Sequence, residues 1–198
     1  FYVASQKGWW AELGLKPEYS IFPAGVPQIA ASAAKSWDVG GTGSVPAVLG
    51  AARYNLLTIG LTNDESAGNA LMASGAKADG FVKNPASMKG QTIVLTANST
   101  GDYAVQSCLA KYGLKKADVR LKNMGQAEII SAMSSNNTEL AGVWAPNIGA
   151  PLDVIWQLDG NGPRQSNEWF AHEAMLGRLD VGMVNQGLAK GRHFLLGG

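Results

Sequence analysis

The 198 residues contain a single cysteine, Cys108, so no internal disulfide forms and no thiolate-rich zinc site is available. Charge is also scarce and nearly balanced. Lys+Arg 16 against Asp+Glu 15 leaves a net +1, and only 16% of residues are charged. No field of one sign draws in nucleic acid or an anionic membrane, and no basic run is interleaved with aromatics. Nucleic acid is therefore not expected as a partner. No apolar run approaches the roughly twenty residues of a membrane span. The chain opens at Phe1 without a basic segment or a small-residue cleavage site, so no signal peptide is read within it.

Catalytic constellations are missing as well. The HEAML string around His172 lacks the second histidine of HExxH, GTGSVP is not followed by GK[ST], and GGTGS lacks the GxGxxG spacing. Cys108 sits mid-helix in YAVQSCLAKYG at a spacing that suits burial, and neither His172 nor His193 has an evident tie to it. The expectation is a protein that is not an enzyme and that uses no cofactor and no metal. What remains is 46% hydrophobic residues and 25 glycines, an ordinary globular profile rich in glycine, with a self-supporting core.

Helical and extended patterns alternate up to about Pro151. FYVASQKGWWAELG reads as a helix with Gly14 at its left-handed end. PEYSIFPAG alternates Tyr19 and Ile21 and reads as a short strand. VPQIAASAAKSW reads as a helix with Pro27 in its first turn, and VPAVLGAARY as another that opens near Pro46. DVGGTGS, LLTIGLT and NALMASG read as strands. After Lys83-Asn84-Pro85 the pattern restarts: strand Thr92 to Thr96, helix DYAVQSCLAKYG closed by Gly113, strand ADVRLKNM, helix AEIISAMSS and strand ELAGVWAP. Strands separated by helices imply a mostly parallel sheet with helices on its faces. The expected division is a partial first lobe over 1–85, a second lobe over 86–152, and an unassigned tail over 153–198 in which WQLDGNGPRQSN reads as a loop.

One feature recurs: a strand that ends in small polar residues and runs straight into a helix, first as DVGGTGS-VPAVL and then as IVLTANST-GDYAVQ. Ligands of parallel α/β lobes collect at such ends, where helix amino termini offer free N–H groups and about half a positive charge. Ser44, Ser99 and Thr100 add hydroxyls there. Serine and threonine are also favoured helix caps whether or not anything binds. Trp144 in GVWAP ends a strand, where it either walls a pocket or packs on the sheet edge. NDES at 63–66 offers carboxylates that a loop usually leaves solvated.

In order along the chain, FYVASQKGWWAELGL, FPAGVPQIAASAAKSWDVGGTGSVPAVLGAA, MKGQTIVLTANSTGDYAVQSCLAKYGL and DVRLKNMGQAEIISAMSSNNTELAGVWAP resemble segments of one family. That family is the periplasmic solute-binding proteins of ABC importers for taurine, aliphatic sulfonates and nitrate, with relatives that bind or make thiamine-pyrimidine precursors. The resemblance implies a type II periplasmic binding protein: two α/β lobes, a ligand cleft between them, and hinge closure. It implies a small anionic ligand, an ABC permease as partner and a periplasmic or extracytoplasmic location. Carried over by position, the ligand contacts are Gly43 and Ser44, then Asp64, Glu65 and Ser66, then Asn98, Ser99, Thr100 and Trp144. Neutral hydroxyls and amides would hold the anion. The resemblance also implies a strand ahead of Phe1 and a return to the first lobe beyond the WAP strand, neither of which these residues supply. The expected states are therefore a monomer with an incomplete first lobe, a domain-swapped dimer, or a remnant that binds nothing. A thiamine-pyrimidine synthase would use a cysteine-rich motif, and this chain has one cysteine.

Overall fold

A computed structural model of the chain describes residues 1–65, 68–145, 147–149 and 153–157. The amino-terminal part is helical. Helices α1 (Tyr2–Lys7) and α2 (Trp9–Glu12) are separated by Gly8, whose φ of 74° lies where a side chain would be strained. The single helix expected over this stretch is thus broken, while Gly14 does take the left-handed conformation expected of it. Helix α3 (Gly25–Ala31) packs against α4 (Ser44–Tyr54). A Cβ on Gly25 would stand 2.5 Å from Pro46 Cγ, and one on Gly50 would stand 3.3 Å from Ile29 Cγ2.

The rest is one mixed sheet with helices on both faces. Its strands are β1 (Asn69–Ala73), β2 (Thr92–Leu95), β3 (Arg120–Asn123), β4 (Leu140–Trp144) and β5 (Asp153–Gln157), in the order β3-β2-β4-β1-β5. β2 pairs in parallel with β3 and β4, whereas β1 runs antiparallel to both β4 and β5. The sheet therefore takes strands from both sides of residue 85. Helices α5 (Gly75–Lys83), α6 (Thr100–Lys111) and α7 (Gln126–Ser134) complete it.

The period of two explains the two cores. Leu71, Ile93, Leu95 and Leu140 point to one face and meet Phe81, Met88, Val105, Cys108 and Leu109. Ala70, Met72, Val94, Ala141 and Val143 point to the other and meet Ile129, Met133 and Ile148. Both faces are covered, which is why NALMA and LAGVW are continuous apolar runs rather than alternating ones.

Three expected strands are not there. Residues 19–21, 38–43 and 56–62 carry no ladder pairing, and Ile21 (95%) and Leu61 (84%) stay exposed. Alternation marks a segment fit for a ladder, but a strand forms only where a neighbour takes up its N–H and C=O groups. None of the described residues does so here. Conversely, α5 and β5 form where no element was expected. Gly75 and Gly80 lower the helix signal of GAKADGFVK, and residues 156–157, expected in a loop, end β5 against β1.

Candidate functional site

Two helix starts set the site, and only the second, at α6, follows a strand. At the first, Gly43 is extended and caps α4 (φ −65°, ψ 163°). The backbone N–H and the hydroxyl of Ser44 both donate to Glu65 Oε2, each at 3.3 Å. At the second, Ser99 caps α6: its Oγ accepts from the Asp102 N–H at 3.2 Å and donates to the Thr96 carbonyl at 2.7 Å. Asn98, left-handed at φ 58°, donates its N–H to Asp102 Oδ2 at 2.8 Å, and Gln106 Nε2 donates to Oδ1 at 2.7 Å. Each helix start thus carries an internal carboxylate, Glu65 on α4 and Asp102 in α6. A carboxylate is the partner that the positive end of a helix dipole favours.

The two starts meet. A Cβ on Gly43 would lie 3.3 Å from Thr100 Cγ2 and 3.5 Å from Glu65 Oε1, so only the missing side chain lets these groups approach. Beside this contact opens a cleft of about 520 Å³. Ser44 and Ala47 of α4, Thr100 and Tyr103 of α6, and Asn69 at the start of β1 line it. The segment from Thr58 to Glu65 closes its side. No lysine or arginine is among its lining residues, so hydroxyls, amides and two carboxylates, Asp64 and Glu65, supply its polarity.

Of the residues singled out from the sequence, Ser44, Asp64, Glu65 and Thr100 line this cleft, and Gly43 abuts it. Asn98 and Ser99 are not among its lining residues. Their polar groups serve the turn into α6, and Ser99 is buried. Trp144 is not among them either: its ring packs against the start of α6, with Cε3 3.3 Å from where a Cβ on Gly101 would sit. Ser66 lies outside the described residues. Sequence reasoning passed over Thr42, Asn69 and Tyr103. Asn69 had a signal, an amide at the head of an otherwise apolar strand, because a buried polar group needs a reason to be there.

Cys108 is fully buried on the α6 face of the sheet, and burial pushes its thiol up to about 12 against a small opposing effect of Lys111. A thiol so firmly protonated is not a nucleophile. His172 and His193 lie outside the described residues. Among the described residues no group of three or more His, Cys, Asp and Glu side chains could hold a metal ion. No described helix is long and apolar enough to cross a membrane.

The chain matches the family model described as NMT1/THI5 like over residues 1–151. A relative in Brucella abortus (strain 2308), provisionally named a binding protein, is 31% identical over 147 residues, covering 74% of this chain and 44% of that protein. A relative of the same provisional name in Brucella suis biovar 1 (strain 1330) gives the same figures. This chain thus spans less than half the length of the curated relatives it matches. Among solved structures, the alkanesulfonate-binding protein SsuA from Xanthomonas axonopodis pv. citri, bound to MOPS, aligns with TM-score 0.68 at 22% identity, covering 82% of this chain and 58% of that one. The periplasmic aliphatic sulphonate binding protein SsuA from Escherichia coli aligns with TM-score 0.65 at 20% identity, covering 87% and 62%. The periplasmic nitrate-binding protein NrtA from Synechocystis PCC 6803 gives TM-score 0.57 at 15% identity, covering 83% and 46%. At these identities the likeness is one of fold, and the fold is the α/β architecture of periplasmic binding proteins. With the family model covering residues 1–151 and the Brucella proteins aligned over most of that span, the chain belongs to the NMT1/THI5-like family.

Proposed function

We propose that this chain is the solute-capturing component of an ABC importer, working outside the cytoplasm and delivering a small anionic solute of the sulfonate type to a membrane permease. One observation carries the reading: the amino ends of α4 and α6 meet beside a cleft that both helices line. Two helix starts facing one space concentrate N–H donors and partial positive charge there. Ser44 and Thr100 add hydroxyls at that point. Capture through neutral donors suits a carrier that must let go again, because no full counter-charge has to be pulled away on release. Residues of α4, from the helical part, and of α6, from the sheet part, both line the cleft, an arrangement that closure around a solute would use. Binding without chemical change is the economical reading of a cleft that offers no activated nucleophile. The membership of the family and the solute-binding names of the structural neighbours support it.

The test is thermal unfolding of the chain with ethanesulfonate, butanesulfonate and nitrate in turn. A bound solute at a hundredfold its Kd stabilises by about 2.7 kcal/mol, which for a chain of this size raises Tm by about 5–10 °C. A rise with a sulfonate that is lost in Thr100→Ala supports the reading. A folded chain that none of the three stabilises overturns it.

A further inference from the structure

Strands β2 and β4 pair only through Ile93 with Leu140 and Val94 with Ala141. Beyond that point a side chain bridges them in place of the ladder. Gln126, half-buried in the first turn of α7, donates from Nε2 to Thr96 Oγ1 and to the Gly142 carbonyl, each at 3.3 Å. Its Oε1 accepts from the Trp144 N–H and from Asn147 Nδ2, each at 3.4 Å. A carbonyl only accepts and a backbone N–H only donates, so the orientation of this amide is fixed. The bonds are long, but they engage both ends of the side chain at once. None of them serves the start of α7 itself, where the Glu128 carboxylate accepts from the Gly125 N–H at 3.0 Å.

The groups that Gln126 holds are the supports of the neighbouring helix, α6. The Thr96 carbonyl accepts from Ser99 Oγ at 2.7 Å. Gly142 and Trp144 lie against Gly101, where a Cβ would stand 3.5 Å from the Gly142 carbonyl oxygen and 3.3 Å from Trp144 Cε3. Ser99 and Gly101 flank Thr100, which lines the cleft, whereas Gln126 is not among the lining residues. We infer that Gln126 is a positioning residue of the solute site: it fixes the ends of β2 and β4 on which the first turn of α6 rests, and so sets where Thr100 stands. A binding constellation has to be held to within about 0.5 Å, and the close approach of Gly43 to Thr100 makes this one sensitive to a shift of that size. This inference rests on the solute-binding reading above.

Calorimetric titration of the full chain with ethanesulfonate, and with nitrate in parallel, reads the effect. Gln126→Met keeps the length of the side chain and removes all four hydrogen bonds, and Gln126→Ala removes the side chain beyond Cβ. Each should raise the Kd about threefold to thirtyfold, and survival of either variant as a folded protein suffices. Ile129→Val is the control for lost stability. It thins the core under the same helix, on the sheet face opposite α6, and should lower Tm while leaving the Kd within about twofold. A Kd within about threefold of wild type in the folded Gln126 variants, or an equal loss of affinity in Ile129→Val, overturns the positioning role and leaves the solute-binding reading standing. Unfolding of both Gln126 variants would make the residue a strut of the whole sheet and overturns a role confined to the site. A folded wild type that binds neither ethanesulfonate nor nitrate overturns both readings.

Discussion

Replacing Gly142 by alanine adds one methyl group at the most crowded point of the sheet. Gly142 lies in β4, the central strand, under the first turns of α6. The new Cβ would meet Val105 Cγ2 at 2.6 Å, the Gly101 carbonyl oxygen at 3.1 Å and Leu95 Cβ at 3.2 Å. Val105 and Leu95 are buried and have nowhere to swing, and the Gly101 oxygen is backbone. Relief therefore requires α6 to lift from the sheet at the turn that begins with Thr100. Overpacking of this kind costs about 1–3 kcal/mol, or a fall in Tm of about 3–10 °C for a chain of this size. Gly80→Ala is the control. No heavy atom lies within 4 Å of its Cβ position, and it sits inside α5. That substitution should stabilise by about 0.5–1 kcal/mol through helix propensity and a less free unfolded chain. Urea unfolding followed by far-ultraviolet circular dichroism, with m unchanged, measures both. If Gly142→Ala falls within about 0.5 kcal/mol of wild type, or if Gly80→Ala loses as much as it does, the close approach of α6 to β4 is not as described.

Two further predictions concern pH. The thiol of Cys108 is held protonated up to about 12 by burial, so above the ordinary thiol range the unfolded chain sheds a proton that the folded one keeps. Stability attributable to this group is complete below pH 8–9 and declines toward pH 12 by up to about 1.4 kcal/mol per pH unit; urea titrations at pH 8 and 10 should show the decline shrink in Cys108→Ala. The carboxyl of Asp118 is held below its ordinary range by the Lys115 backbone N–H at 2.8 Å and by Lys89, 3.4 Å away. Its contribution is present above the unfolded carboxylate range and is lost as pH falls through the lowered one, so Asp118→Asn should flatten the acid limb of a stability profile taken from pH 6 to pH 2.

What the sequence disclosed followed how local the determinants are. Helices α4, α6 and α7 and strands β1 to β4 were legible because a period of 3.6 or a short apolar run between glycines and polar residues is written in consecutive residues. Gly113 was legible as a helix end for the same reason, and it does adopt φ 72°. The failures are all non-local. Residues 19–21, 38–43 and 56–62 have strand-like patterns, but whether a strand forms depends on a partner that no pattern names. The antiparallel setting of β1 against β4 was hidden because a strand buried on both faces has the same run of residues in either direction. In the site, the convergence of the two helix starts was anticipated from matching strand-to-helix junctions. The role of Glu65 as the carboxylate on Ser44 was not, since 21 residues separate them and only the packing of Gly43 against Thr100 brings them together.

The carboxylates at the two helix starts change how the proposed anion site would work. Without them, α4 and α6 would each present about half a positive charge to the cleft. Asp102 is buried in its own turn, where the N–H of Asn98 and the amide of Gln106 hold both of its oxygens. It belongs to the scaffold, because it ties the turn at Asn98 to the first turns of α6. Glu65 differs in that it lies on the cleft wall and holds Ser44 through bonds of 3.3 Å, long for a charge-assisted contact. An incoming anionic group would therefore meet a firm frame on the α6 side and a weakly held carboxylate on the α4 side.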